Sequence, residues 1–270
     1  MARKFPTRAR RPPILSNKHC ASTSVFRPEN LLREARRQKA LSAGTVPTVC
    51  ILDPDGDIVA SLLSEGRSRR DERWACYHTT LYRFELGRAE LGIIGSAVGA
   101  SFAVLVAEEL FACGCELLVS VSSAGQILPV RKPPYFVLIE KALRDEGTSY
   151  HYLPPSEFSE ADETLIERVD EAMAQLDVPV VRGATWTTDA PFRETEAAIE
   201  ASKSLGLLAV EMEAAALYAF SRACGKQVIC FAHVTNQMGQ AEGDFEKGAT
   251  DGTEDALQVI TIAASTNLEN

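Results

Sequence analysis

A chain of 270 residues, 46% hydrophobic and 24% charged, has the make-up of a soluble globular protein, with room for one large α/β domain or two small ones. No apolar run approaches the roughly 18 residues of a membrane span, and neither the seven cysteines nor the four histidines show metal-site spacing. The net charge of −9 conceals an uneven split, because residues 1–40 hold eleven Lys or Arg against two Glu.

That basic start, "MARKFPTRARRPPILSNKHCASTS", has the charge to meet nucleic acid or an anionic membrane. Its prolines and lack of interleaved aromatics read instead as a solvated tail, so neither partner is expected. It has no apolar stretch of a secretory leader, and the cysteines suit buried, reduced thiols in a cytoplasmic protein. "RPENLLREARRQKAL" predicts a short helix opened by Pro28. "TVPTVCILDPDGD" predicts an apolar strand ending in a turn. Two strands joined around Gly87 follow, then the helix "SFAVLVAEELFACG" closed by Gly114.

Next come "ELLVSVSSAG", a buried strand running into a small-residue turn, and the strand "YFVLIEKAL". Residues 156–175 have helical spacing. "VPVVRGATWTTDAPFRE" predicts a strand and a polar loop, and "LLAVEM" a strand feeding the helix "EAAALYAFSRACG". "QVICFAHVTNQMG" is a strand with a polar exit, and "TEDALQVITIAAST" a closing helix. Strands alternating with helices imply an α/β fold with a central mixed sheet flanked by helices. Residues 1–45 are expected as the basic tail with its short helix, and 46–270 as one domain. Ligands of such sheets bind beyond the carboxyl ends of the strands, where the polar exits gather.

Five stretches there carry chemistry. Glu211-Met212-Glu213 places two carboxylates at a strand-to-helix junction after an apolar approach. A helix N-terminus accommodates one of them; a pair suits vicinal hydroxyls, as in a ribose. "GSAVGAS" and "SSAG" are small-residue turns able either to pack closely or to offer N–H groups to an anion. Phe192, Arg193 and Glu194 combine a ring with a guanidinium, fit for a planar base or simply solvated. Asn236 stands at a strand exit, a position that turns also favour.

In order and spacing, "GSAVGAS…AEEL…VSSAGQI", "GATWTTDAPFRE" and "AVEMEAAALYAF" resemble the nucleoside phosphorylase family that contains uridine phosphorylase and hexameric purine nucleoside phosphorylase. The likeness runs from about residue 48 to the C-terminus. It implies cleavage of a nucleoside N-glycosidic bond without a cofactor, with phosphate as co-substrate, in homodimers or larger homo-oligomers that share active sites. By the resemblance, Glu213 binds the ribose hydroxyls, Met212 packs on the sugar and Glu211 assists. Phe192, Arg193 and Glu194 stand at the base, while Ser96, Gly99 and Ser123 are left as phosphate donors.

Three departures bear on the acceptor. The family's phosphate arginines are replaced by Gly56 and Ser120, and the one supplied by a neighbouring subunit falls near Cys76. Arg67, Arg69, Arg70, Arg73 and Arg83 are candidates to compensate. Asn236 stands where purine-cleaving members carry a proton-donating Asp, which tilts the expectation toward a pyrimidine nucleoside. Without guanidinium partners phosphate is held weakly, so hydrolysis with Asp55 or Asp57 as the base is the alternative to phosphorolysis. A non-catalytic nucleoside-binding protein is the third reading.

Overall fold

Alternating burial shows how the chain divides its apolar residues between two cores. In β1 (Val49–Asp53), Val49 and Ile51 enter one core and Cys50 and Leu52 the other, as the two-residue period of a strand requires. The computed structural model describes residues 12–87, 89–238 and 242–268; the first eleven residues of the basic tail lie outside them.

Among the described residues, β1 is followed by α2 (Asp57–Ser64), β2 (Ser68–Arg70), β3 (Tyr82–Leu86), β4 (Ala89–Gly95) and α3 (Ala100–Ala112). Then come β5 (Leu117–Gln126), β6 (Tyr135–Asp145), β7 (Phe158–Glu160), α4 (Glu163–Met173), β8 (Val180–Thr188) and α5 (Glu196–Ser204). The chain closes with β9 (Ala209–Glu211), α6 (Ala214–Cys224), β10 (Gln227–Asn236) and α7 (Thr253–Leu268), while α1 (Pro28–Lys39) precedes them all. None of these helices is long and apolar enough to cross a membrane.

The ten strands form one mixed sheet in the order β10-β6-β8-β9-β5-β1-β4-β3-β2, with β7 beside β6. Because β10 also pairs with β5, five strands close into a ring from which β1, β4, β3 and β2 extend as an open wing. Strand β5 accommodates three neighbours by length: its first residues pair with β1, its last two, Gly125 and Gln126, pair with β9, and β10 runs along it. One face buries α1, α3 and α6, with Leu32 and Ala35 of α1 inside that core; the other buries α2, α4 and α7. The expected mixed α/β sheet is therefore observed.

Two local expectations change. "SSAG" is not a turn but the second half of β5, because β10 and β9 supply ladder partners to Ser123, Ala124 and Gly125. A Cβ on Gly125 would lie 2.5 Å from Met238 Sδ and 3.3 Å from Val210 Cγ1, so the small residue serves close strand approach. The helix inside residues 156–175 begins at Glu163, capped by Asp162 accepting the Leu165 N–H at 2.8 Å, and the residues before it form β7.

Candidate active site

The first amides of a helix lack intrahelical acceptors, and at α6 three of them are met by side chains from β8 and β9. Glu211 Oε2 accepts the N–H groups of Glu213 and Ala214, each at 2.7 Å, and Thr187 Oγ1 accepts that of Ala215 at 2.9 Å. Thr187 and Thr185, two apart and so on one face of β8, both donate to Glu211 Oε1. Glu211 is thus saturated from within. It fixes the start of α6 and the backbone of Glu213.

Glu213 follows at the helix boundary, 2% exposed. Its Oε1 accepts the Gly99 N–H at 2.7 Å and its Oε2 the Met212 N–H at 3.3 Å. The N-termini of α3 and α6 therefore converge on one carboxylate, with Met212 half-buried beside it. Burial, then the charge of Glu211, pushes the Glu213 carboxyl up to about 8. Gly99, read as a phosphate donor, gives its N–H to Glu213.

A second cluster of polar groups lies near the ends of β1, β5 and β10. Asp53 is buried under α2, accepting from Gly56 and Val59, and burial raises it to about 7. Asp55 is exposed, and its Oδ2 accepts the Ser123 N–H at 2.7 Å. Ser96, in the left-handed region at φ 62°, donates its N–H to the Asp53 carbonyl. All three expected phosphate donors thus spend their N–H groups inside the protein.

Nor do the candidate arginines reach this corner. Arg83 is buried against Asp71 and Glu90, each at 2.6 Å. Arg69 binds Glu90, Arg67 binds Glu65, and Arg70 and Arg73 lie within 4 Å of Glu72 and Asp71. All five serve the wing around β2 and β3. The cation that does arrive is Lys247, ion-paired to Asp57. Burial works against its ammonium, but Asp57, with Asp55 and Asp251 behind, outweighs that and raises its pKa. His233 lies nearby, stacked on Phe136 at 4.4 Å, and burial pushes its pKa down to about 4. A Cβ on Gly252, at φ 74°, would collide with His233 Cε1 and with the Lys247 carbonyl oxygen, so only glycine lets these three segments meet.

Asn236 is tied into its own strand end. Its Oδ1 accepts the Met238 N–H at 2.9 Å and its Nδ2 donates to Thr235 Oγ1 at 3.2 Å, beside a register shift in β10. Phe192 and Arg193, expected at the base, lie in a short helix, Pro191–Arg193, that begins three residues past the end of β8, and Glu194 follows it. Phe192 is 99% exposed and Arg193 is exposed, whereas Glu194 is half-buried and raised by that burial to about 6. Within one protomer this loop covers nothing with its aromatic ring. A cavity of about 640 Å³ lined by residues within 14–22 touches Ala223 at the far end of α6, roughly 15 Å of helix away from Glu213.

Lys247, His233 and the two threonines escape a sequence reading. Only the Thr-x-Thr spacing of β8 signals a shared face. Lys247 is 190 residues from Asp57, and no local pattern joins them.

These pKa displacements set a stability profile. The folded chain holds protons on Glu213 and Asp53 that an unfolded chain, with carboxyls near 4, has released, so stability falls as pH rises toward about 8. His233 opposes this only between about 4 and 6.5, where the unfolded chain takes up the proton. Between pH 6.5 and 8 the carboxyls act alone. Thermal unfolding scans across that window should show a falling Tm, and a flat or rising one would mean that these carboxyls do not retain their protons.

A model of the phosphorylase superfamily matches residues 48–266. The chain is 26% identical to a guanosine phosphorylase of Halorubrum lacusprofundi over 186 residues, covering 66% of this chain and 77% of that protein. It is 26% identical to a uridine phosphorylase of Thermococcus kodakarensis over 242 residues, 82% of this chain and 85% of the other. The fold matches uridine phosphorylase from Vibrio fischeri ES114 with a TM-score of 0.67 at 22% identity, over 81% of this chain and 91% of that one. The superfamily match, the relatives on both sides of the purine–pyrimidine divide and the shared sheet lead to one assignment: this chain belongs to the nucleoside phosphorylase family.

Proposed function

We propose that the chain cleaves the N-glycosidic bond of a nucleoside and transfers the pentose to phosphate, the activity named for its uridine and guanosine phosphorylase relatives. The observation that carries this is Glu213, a buried carboxylate held by Gly99 and by a helix start that Glu211 has fixed. Ribose hydroxyls supply the donors such a group lacks, favour its ionised form and so draw off its proton. The bound carboxylate then holds C1′ in place and stabilises the positive charge that grows on the ribose as the base departs.

Met212 packs on the sugar, and Phe192, Arg193 and Glu194 meet the base. The full exposure of Phe192 fits a site completed by a second copy of the chain in a homo-oligomer. Asn236 orients the base side as an amide that donates without releasing a proton.

A second reading, with water as acceptor and Asp55 or Asp57 as the base, is favoured by one observation. Asp55 already occupies the Ser123 N–H that an anion would take. Base release from uridine, thymidine, inosine, guanosine and adenosine, with and without phosphate, tests both. Release that needs phosphate and yields ribose 1-phosphate supports the first reading; equal release without it supports the second. No release from any of the five would count against both.

A further inference from the structure

The cavity of about 640 Å³ at the far end of α6 has the size of a small-molecule pocket, and two segments distant in sequence wall it. One is the stretch that carries Leu15 and Lys18. The other runs from Tyr150 to Pro155, and Ala223 of α6 joins them. The second wall is built from beneath by Arg144, 4% exposed. Its guanidinium donates to the Pro154 carbonyl and Ser156 Oγ, each at 2.7 Å, to Ser149 Oγ at 2.8 Å and to the Leu153 carbonyl at 3.3 Å. All four partners are neutral, so direct contact leaves that buried positive charge unanswered. The Tyr150 and Tyr152 hydroxyls are spent on the Arg144 carbonyl and on Glu108, which leaves ring surface as their share of the wall.

In a chain of net charge −9, the described residues that line this cavity include no carboxylate, and only Lys18 among them carries a full charge at neutral pH. Lys18 Nζ lies 3.0 Å from His151 Nδ1. An ammonium can only donate, so that ring nitrogen bears no proton and the lysine is held by a neutral acceptor. A carboxylate would hold it more strongly, because a charge-assisted bond replaces a weaker one. We infer that this cavity is a second binding site, for an apolar monocarboxylate with its head at Lys18 and its body along Leu15, Leu153, Pro154 and Pro155. A single ammonium suits one negative charge. A phosphate dianion asks for a guanidinium fork, and the fork of Arg144 is already committed. The site stands apart from Glu213 and does not rest on the proposed cleavage.

The test is calorimetric titration of octanoate, decanoate and octanol into the full chain without nucleoside. Octanoate should bind with a Kd of about 1 mM, and decanoate about tenfold more tightly for two further buried CH2 groups. Octanol, which has the same body without the charge, should bind about tenfold more weakly than octanoate. Lys18→Gln should weaken both acids about tenfold and leave octanol unchanged. Ala223→Trp, from an exposed turn of α6, should fill the cavity and abolish binding of all three, with Tm showing that the chain still folds. Absence of decanoate binding at about 1 mM, octanol binding as tightly as octanoate, or acid affinities unmoved by Lys18→Gln would each overturn the inference, whatever the fate of the tryptophan variant. Undiminished binding to a folded Ala223→Trp chain would overturn it as well, by placing the ligand elsewhere on the surface.

Discussion

Glu213→Gln should lower kcat/KM for base release by about 10³-fold, or about 4 kcal/mol of transition-state stabilisation, and leave a protein at least as stable as the parent. The two halves of that result have one cause. In the empty site Glu213 is a carboxyl that burial and the charge of Glu211 hold at about 8, so ionising it at neutral pH costs folding free energy. An amide of the same shape carries no such cost and retains an acceptor for the Gly99 N–H. Yet the amide cannot become an anion when ribose hydroxyls arrive, and the charge that opposes the growing cation at C1′ is lost.

The stability change also has a pH signature. The fall in Tm between pH 6.5 and 8 should become shallower in this variant, leaving the share owed to Asp53. Progress curves of base release and thermal scans on one preparation check both. A variant that turns over at the wild-type rate would remove Glu213 from the ribose site.

How far the sequence reaches depends on the range of the interaction concerned. Periodicity reports which face of a strand or helix is apolar, so β1, β3, β4, α3 and α6 stand out in the letters. The strand β5 is read short because its second half contains small residues, Ser123 to Gly125, whose strand state is set by β9 and β10 rather than by propensity. The two glutamates are legible as a costly pair, but not their division of labour. That is decided by Thr185 and Thr187, which reach Glu211 from another strand and leave Glu213 open to a ligand. The corner beside Asp57 is least legible. The expectation that Gly56 and Ser120 stand where the family has arginines is read from the letters, while the arrival of Lys247 beside Asp57, at the start of α2, depends on how the segment before α7 folds back. That five arginines and an acidic set share the β2–β3 wing likewise follows from pairings that composition does not disclose.

The neighbouring carboxylate should behave in the opposite sense. Glu211→Ala should destabilise the protein by about 3–5 kcal/mol, a drop of roughly 10 °C in Tm for a chain of this size. Glu211 is buried and its pKa is raised by that burial, which alone would make its removal favourable. Against this stand four donors that converge on it, the Glu213 and Ala214 amides and the Thr185 and Thr187 hydroxyls. With alanine the two amides at the start of α6 have neither acceptor nor water, and the hydroxyls must turn elsewhere in a core where both threonines are fully buried.

Glutamine at 211 keeps an acceptor for the two amides but loses the charge that strengthens those bonds. Its NH2 makes both threonine hydroxyls turn from donors to acceptors, although Thr187 already accepts the Ala215 N–H. At 213 the NH2 displaces only the longer, 3.3 Å contact with the Met212 N–H. Urea unfolding of Glu211→Gln and Glu213→Gln side by side therefore separates the two roles. The first should lose stability and, with the frame of Glu213 loosened, activity as well. The second should lose activity alone. If both variants lose stability to the same degree, the pair is one structural cluster, and the ribose anchor must be sought elsewhere in the site.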